Sequence, residues 1–157
     1  MSETACRRSI DEFLAQRRFA MIGVSRNPRD FSRELYRAFR KRGYDVIPVR
    51  PDAVEIEGRT SVASVTEIQP PVEAALLMTA PSVTETVVPE CAAAGIRRIW
   101  MYRATGAGAV SPKAVAYCAG KGIEVVPGEC PLMFLNQTGW IHRAHGLIRR
   151  IKGRYPN

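Results

Sequence analysis

Short apolar runs recur along the chain and alternate with amphipathic segments. The runs lie at 19–22, 45–49, 74–78, 98–102 and 122–126. Uninterrupted apolar runs of this length are typical of parallel strands that are covered on both faces. The segments between them have helical spacing, as in the buried stripe of Leu35, Tyr36 and Phe39. The pattern therefore predicts an α/β fold: a Rossmann-like open parallel five-stranded sheet with helices on both faces.

Polar residues mark where the helices should begin. Ser9 and Ser82 each open a Ser-x-x-Glu capping box, which predicts a short helix before the first strand and another after the third. Ser32 is the expected N-cap of the helix after the first strand, and Ser111 that of the helix after the fourth. Pro89 lacks a backbone donor, so we expect a kink there or two short helices.

The chain has 157 residues, which suits one domain, 1–157, with its core at 19–134. Apolar residues from Trp140 to Ile151 fall on one helical face and predict a C-terminal helical extension at 137–152. We expect that helix to dock on the domain, a second subunit or a partner protein, with membrane-surface binding as the alternative. The sequence contains no apolar membrane-length stretch and no signal-peptide core, so we expect a cytoplasmic protein.

Charge and cysteine content narrow the possible partners. The formal net charge is +8, which favours an anionic partner: nucleic acid, an acidic membrane or a phosphorylated small molecule. The four cysteines stand far apart without a CxxC pair, which argues against a zinc site and a disulfide framework. Cys130 follows the last strand and is the one cysteine with a conceivable role, as a thiol near a ligand. His142 and His145 are expected to be structural or surface residues rather than metal ligands.

Candidate chemistry lies where the first two strands end. Gly23 follows the first strand and opens a polar, cationic turn that could admit a phosphate close to the main chain. The glycine pattern GxGxxG of nicotinamide and flavin folds is absent. Arg50 follows the second strand, where a fold that binds a free ribose usually has an acid. A cation there favours a ligand with an extra ribose phosphate.

An ordered series of motifs resembles the small CoA-binding proteins that are similar to the N-terminal domain of the succinyl-CoA synthetase α subunit. The resemblance covers about Phe19 to Phe134. It rests on Ile-Gly-Val-Ser-Arg-Asn-Pro at 22–28, Gly-Tyr-Asp-Val-Ile-Pro-Val-Arg-Pro at 43–51, Glu-Ile-Glu-Gly-Arg at 55–59, Thr-Ala-Pro at 79–81, Ala-Gly-Ile-Arg-Arg-Ile-Trp-Met at 94–101 and Gly-Glu-Cys-Pro at 128–131.

The resemblance implies a cofactor, coenzyme A or acyl-CoA, and assigns three groups of residues to it. The CoA phosphates would be held by Gly23, Val24, Ser25, Arg26 and Asn27. The adenosine 3′-phosphate end would be flanked by Val49, Arg50 and Pro51. The pantetheine arm would run past Thr79, Ala80, Pro81 and Val83. The family commonly has Asn where this chain has Arg50, which should strengthen phosphate attraction or shift the ribose contact.

The sequence favours non-catalytic binding of CoA or acyl-CoA, as a carrier, sensor or regulatory module. The chain has no room for the further domain in which the synthetases carry their phosphohistidine, and no complete catalytic constellation is apparent. One alternative is an NADP-dependent oxidoreductase in which Arg50 binds the 2′-phosphate. The other is a basic nucleic-acid-binding protein, for which no recognition motif is present. The acyl group, the partner and the oligomeric state stay open.

Overall fold

The computed structural model describes residues 3–135. Its strands are β1 (Arg18–Ile22), β2 (Asp45–Val49), β3 (Glu55–Ile56), β4 (Arg59–Thr60), β5 (Ala74–Leu77), β6 (Arg98–Met101) and β7 (Glu124–Pro127). Its α-helices are α1 (Glu3–Leu14), α2 (Phe31–Lys41), α3 (Pro81–Ala93), α4 (Pro112–Gly120) and α5 (Pro131–Leu135), with a 3₁₀ turn at Val65–Glu67.

Five strands form one parallel sheet in the order β2-β1-β5-β6-β7. The chain leaves β1 toward β2 and then returns to the other side of β1 to form β5, so the strand order reverses between β1 and β5. Ligands of open α/β sheets bind beyond the carboxyl ends of the strands at such a reversal. The predicted α/β fold with a five-stranded parallel sheet is confirmed.

Helices cover both faces of the sheet because strand side chains alternate between them. On one face, Ala20 of β1 and Leu77 of β5 pack with α3 and α4. On the other, Met21 and Trp100 pack with α1, α2 and α5. The second face is rich in aromatic residues, and the ring of Phe13 lies 5.4 Å from that of Trp100 in an edge-to-face contact.

Two of the predicted helix starts on this face are wrong. Helix α1 begins at Glu3, so the Ser9 capping box lies inside the helix rather than at its start. Helix α2 has Asp30 as its N-cap, and the Asp30 carboxylate accepts a hydrogen bond from the N–H of Ser32. Ser32 is instead buried within the first turn, where its hydroxyl accepts a hydrogen bond from the N–H of Ser25 in the preceding loop.

The predicted start of α3 is wrong, whereas that of α4 is confirmed. Helix α3 has Ala80 as N-cap with Pro81 in its first turn and no side-chain cap, so the Ser82 capping box is wrong. The helix continues through Pro89, which rules out two short pieces. Ser111 does cap α4, since its hydroxyl accepts a hydrogen bond from the N–H of Ala114 at 3.3 Å.

The segment between β2 and β5 contains a small hairpin. Strands β3 and β4 pair antiparallel, and the turn between them places Glu57 and Gly58 at φ 48° and 81°. Two successive left-handed residues are typical of the tight type I′ hairpin turn. This turn aims Glu57 at helix α2, as described below. The predicted extension at 137–152, with His142 and His145, lies outside the described residues.

Candidate functional site

A cleft of about 430 Å³ opens at the carboxyl ends of β1 and β5, where the strand order reverses. It is lined by Gly23, Ser25, Asp30, Phe31, Ser32, Met78, Thr79, Ala80, Tyr102 and Gly108. The lining comes from the loops after β1, β5 and β6 and from the first turn of α2. A cleft of this size, built from strand-end loops, is the usual ligand site of such a sheet.

Gly23 lets the loop after β1 pass close to β5. Its φ is +94°, and a Cβ at this position would lie 2.9 Å from the backbone carbon and oxygen of Met78. Both features exclude a larger residue without a backbone shift. The Gly23 N–H donates to the Val49 carbonyl at 3.4 Å, so this glycine sits between the ends of β2 and β5.

The loop that follows is organised by short polar side chains. The N–H of Ser25 donates to the Ser32 hydroxyl at 2.8 Å, and the N–H of Asn27 donates to the Ser25 hydroxyl at 3.1 Å. The Asn27 side-chain oxygen accepts from the N–H of Arg29 at 3.0 Å. Such side-chain to backbone bonds fix turns that regular ladders cannot reach. The loop therefore has a defined shape at the mouth of the cleft.

Arg50 is engaged with its neighbours at the end of β2. Its guanidinium donates to both carboxylate oxygens of Asp52, at 2.9 and 3.1 Å, and to the Val24 carbonyl. These hydrogen bonds hold the pKa of the Asp52 carboxyl below its ordinary value. Arg26 lies 3.9 Å from the same carboxylate. Two guanidinium groups thus share one carboxylate, and one positive charge remains in excess beside the loop.

Thr84 ties together the loops after β5 and β6. The hydroxyls of Thr79 and Thr84 are 2.7 Å apart, and Thr84 donates to the Ala109 carbonyl at 2.8 Å. Since a hydroxyl has one proton to donate, Thr79 is the donor in the first of these bonds. Thr79 therefore offers the cleft its methyl group and hydroxyl lone pairs.

One wall of the cleft is aromatic. The rings of Phe31 and Tyr102 lie 5.6 Å apart with a tilt of 32°. Burial is the main cause that raises the pKa of the Tyr102 phenol, and the nearby Cys130 and Asp30 raise it further. Tyr102 is therefore protonated at neutral pH. This wall can pack against an uncharged, flexible ligand segment.

The structure brings four of the predicted site residues into the cleft lining: Gly23, Ser25, Thr79 and Ala80. The remaining predicted residues belong to the same loops but lie behind or outside the lining: Val24, Arg26, Asn27, Val49, Arg50, Pro51, Pro81 and Val83. Val24 and Val49 have buried side chains, so they can offer only backbone groups to a ligand.

Sequence reasoning missed several lining residues: Asp30, Phe31, Ser32, Met78, Tyr102 and Gly108. Tyr102 and Gly108 follow the fourth strand of the sheet, β6, which lies next to β5. The strand order 2-1-3-4-5 of a doubly wound sheet would have pointed to this loop, since it places the ends of the third and fourth strands side by side.

The cysteines and possible metal ligands give no second site within residues 3–135. Cys130 is buried and does not line the cleft. Burial raises the pKa of Cys91 to about 12 and of Cys118 to about 11, so both remain protonated thiols. In this range no group of three or more His, Cys, Asp or Glu side chains is placed to share a metal ion. Nor does any helix in this range combine the length and apolar character needed to span a membrane.

The sequence matches the family described as "CoA binding domain" over residues 17–136. The fold is similar to a conserved hypothetical protein from Pyrococcus furiosus, with 26% identity, a TM-score of 0.65 and coverage of 77% of this chain and 98% of that one. A Thermus thermophilus protein gives 24% identity and a TM-score of 0.69, covering 87% of this chain and 98% of that one. A search of curated proteins returned no match.

A larger enzyme contains a similar unit. The apo form of acetyl-coenzyme A synthetase 1 from Candidatus Korarchaeum cryptofilum is 20% identical with a TM-score of 0.58, and the alignment covers 69% of this chain but 25% of that one. The family match spans most of the chain, so this protein belongs to the CoA-binding domain family. Membership of that family supports coenzyme A as its ligand.

Proposed function

We propose that the chain binds coenzyme A or an acyl-CoA in the cleft between β1 and β5 and acts as a carrier, sensor or regulatory module without catalysis of its own. The observation that carries the proposal is the position of the cleft. It lies where the strand order reverses, in a chain that belongs to the CoA-binding domain family. Gly23 lines it, and a Cβ at that position would collide with the Met78 backbone.

In this proposal the CoA diphosphate lies against the loop 23–29. Gly23 lines the cleft and has no side chain to keep an anionic group from its main chain, and the Arg26 and Arg29 side chains are exposed. Within the described residues, the N–H groups of Val24 and Arg26 have no acceptor. Free peptide donors with cations nearby are what a diphosphate requires.

The other two parts of the ligand follow from this placement. The adenosine 3′-phosphate would lie near Val49, Arg50 and Pro51, where Arg26 and Arg50 outnumber the Asp52 carboxylate. The pantetheine arm would run along Thr79–Val83 and the wall formed by Phe31 and Tyr102. An arm of methylenes and amides suits a surface of aromatic rings, a threonine methyl and a helix start.

The side chains of the cleft suit binding better than acid–base catalysis. Of the residues that line it, Asp30 and Tyr102 are titratable. The Asp30 carboxylate accepts hydrogen bonds from the N–H and the hydroxyl of Ser32 at 2.9 and 2.6 Å, so it is occupied as a helix cap. Tyr102 holds its proton at neutral pH, as described above. The Asp30 carboxylate therefore serves the start of α2, and the Tyr102 phenol is not poised to act as a general base near neutral pH.

Thermal unfolding with added ligand tests the proposal. CoA at a hundred times its dissociation constant should stabilise the protein by about 2.7 kcal/mol. CoA should act at lower concentration than 3′-dephospho-CoA, since only CoA carries the ribose phosphate. A shift with NADP but none with CoA would contradict the proposal and favour a nicotinamide enzyme. Binding of nucleic acid that weakens steeply with salt and ignores CoA would favour the basic nucleic-acid-binding alternative.

A further inference from the structure

Three arginine side chains donate hydrogen bonds to carbonyl groups of the loop 23–29. Arg33 donates from Nη1 to the carbonyls of Ser25 and Arg26, at 3.3 and 3.2 Å. Arg50 donates to the Val24 carbonyl, and Arg37 donates to the Pro28 carbonyl at 3.3 Å. Guanidinium groups thereby hold the three consecutive carbonyls of residues 24–26 and also that of Pro28.

Arg33 differs from the other two because it is buried. Its side chain is 8% exposed, compared with 47% for Arg37 and 21% for Arg50. Its Nε is buried and has no hydrogen-bond partner among the described residues. A buried cation with an unsatisfied donor is costly, and an apolar side chain of similar volume would fill the same place at lower cost. Stability alone therefore does not account for Arg33.

Glu57 is the counter-charge of Arg33 and belongs to a different element. It stands in the turn of the β3–β4 hairpin, where its left-handed backbone aims the carboxylate at α2. Its Oε1 lies 3.4 Å from Nη2 of Arg33 and also accepts from Arg37. The hairpin is thus joined through one carboxylate to the arginines that bind the loop.

We propose that Arg33 is the positioning residue of the diphosphate loop and that the β3–β4 hairpin, through Glu57, holds it in place. The proposal rests on the proposed function for its ligand. Arg33 touches no ligand: it fixes the carbonyls of Ser25 and Arg26, so that the Arg26 N–H, in the same peptide unit as the Ser25 carbonyl, stays free for the diphosphate. Its charge also polarises these peptide groups, because a buried cation is weakly screened.

The variant Arg33→Lys tests this role, since it keeps the charge but cannot reach two carbonyls and Glu57 at once. The dissociation constant for CoA should rise about tenfold or more, and by the same factor for 3′-dephospho-CoA, because both ligands carry the diphosphate. Amide hydrogen exchange at 24–29 should speed up in the absence of ligand. The matched control is Arg40→Lys on the same helix, where the guanidinium contacts Tyr36 and not the loop. It should change neither quantity.

The variant Glu57→Gln keeps the test decisive if Arg33→Lys does not fold. It should raise the dissociation constant for CoA severalfold. In the variant with both substitutions, the dissociation constant should rise by less than the product of the two single increases, since both substitutions act through one contact. If the wild type binds CoA and these variants have the same CoA affinity and the same loop exchange as the wild type, the inference is overturned and the proposed function stands. Absence of CoA binding by the wild type would refute the proposed function, whereas the ligand-free exchange would still decide the role of Arg33.

Discussion

The guanidinium of Arg50 meets the carboxylate of Asp52 through two parallel hydrogen bonds, of 2.9 and 3.1 Å. Arg50 also reaches the Val24 carbonyl, so this pair joins the loops after β1 and β2. The carboxylate offsets part of the positive charge available to a ribose phosphate. The strength of phosphate selectivity should therefore depend on Asp52 as much as on Arg50.

Replacement of Asp52 by Asn should increase the preference for CoA over 3′-dephospho-CoA severalfold. Loss of the carboxylate frees the Arg50 charge for the ribose phosphate, and solvent screening keeps the effect modest because Asp52 is exposed. Calorimetric titration with the two ligands measures the ratio of their affinities. Glu73→Gln is the control, because it removes a carboxylate before β5, at the opposite rim of the sheet. An equal ratio in the wild type and Asp52→Asn would place the ribose phosphate elsewhere.

Gly23→Ala should unfold more easily than the wild type and should bind CoA much more weakly. The added Cβ would lie 2.9 Å from the Met78 backbone at a φ of +94°. Gly95→Ala provides the control, since Gly95 has a φ of +83° but no atom within 4 Å of its Cβ. That variant should lose about 1 kcal/mol from backbone strain alone. Chemical denaturation should show a larger loss for Gly23→Ala, and equal losses would mean that the Met78 contact is easily relieved.

Thr84→Val should cost about 1–3 kcal/mol of unfolding free energy, because the valine leaves the Thr79 hydroxyl and the Ala109 carbonyl without their partner. Thr86→Val on the same helix is the control, since Thr86 is exposed and its hydroxyl donates, within residues 3–135, only to the local Val83 carbonyl. Urea denaturation compares the two variants. If they lose the same stability, the loops after β5 and β6 are not coupled through Thr84.

Acid should destabilise the fold partly through Asp45. Hydrogen bonds from Arg59 and Arg18 hold the pKa of the Asp45 carboxyl below its ordinary value. A carboxyl with a lower pKa in the folded state stabilises the fold above its unfolded pKa, near 4, and loses that contribution as pH falls through the folded pKa. The effect is modest because the Asp45 side chain is 47% exposed.

The variant Asp45→Asn measures this contribution. Its unfolding free energy should fall less steeply than that of the wild type between about pH 5 and pH 2. Glu55→Gln removes an exposed carboxyl that has no ion pair among the described residues, and it serves as the control for the loss of one negative charge. A wild-type slope in Asp45→Asn would contradict the prediction, since it would show that the pKa of Asp45 does not differ between the folded and unfolded states.

Hydrophobic patterning was enough to predict the sheet, because parallel strands covered on both faces leave uninterrupted apolar runs. Strand β2 has the predicted bounds, Asp45–Val49, and β5 and β6 end one residue earlier than predicted. The residues at which the helices begin were harder to predict. Ser9 and Ser82 have the capping-box spacing, but a helix continues through Ser9, and Pro81 begins the other helix one residue before Ser82. The spacing of a capping box therefore does not by itself fix the residue at which a helix begins.

The site was predictable to the extent that it depends on strand ends. Gly23 follows β1 directly and Thr79 lies two residues after the end of β5, and the reversal of strand order between those neighbouring strands brings them together. The pairing of Arg50 with Asp52 and of Arg33 with Glu57 depends on loop and hairpin geometry, for which the sequence carries no periodic signal. Tyr102 was missed because strand order, rather than any local pattern, places it beside Phe31.

The central claim is that coenzyme A lies in the cleft between β1 and β5. Titration of the ¹⁵N-labelled protein with CoA, followed through its backbone amide signals, tests this claim directly. The account predicts that the largest shifts occur at Gly23, Ser25, Arg26, Thr79 and Gly108, with small shifts at the opposite rim around Glu73 and Glu124. Saturable CoA binding whose largest shifts fall at that opposite rim would contradict it.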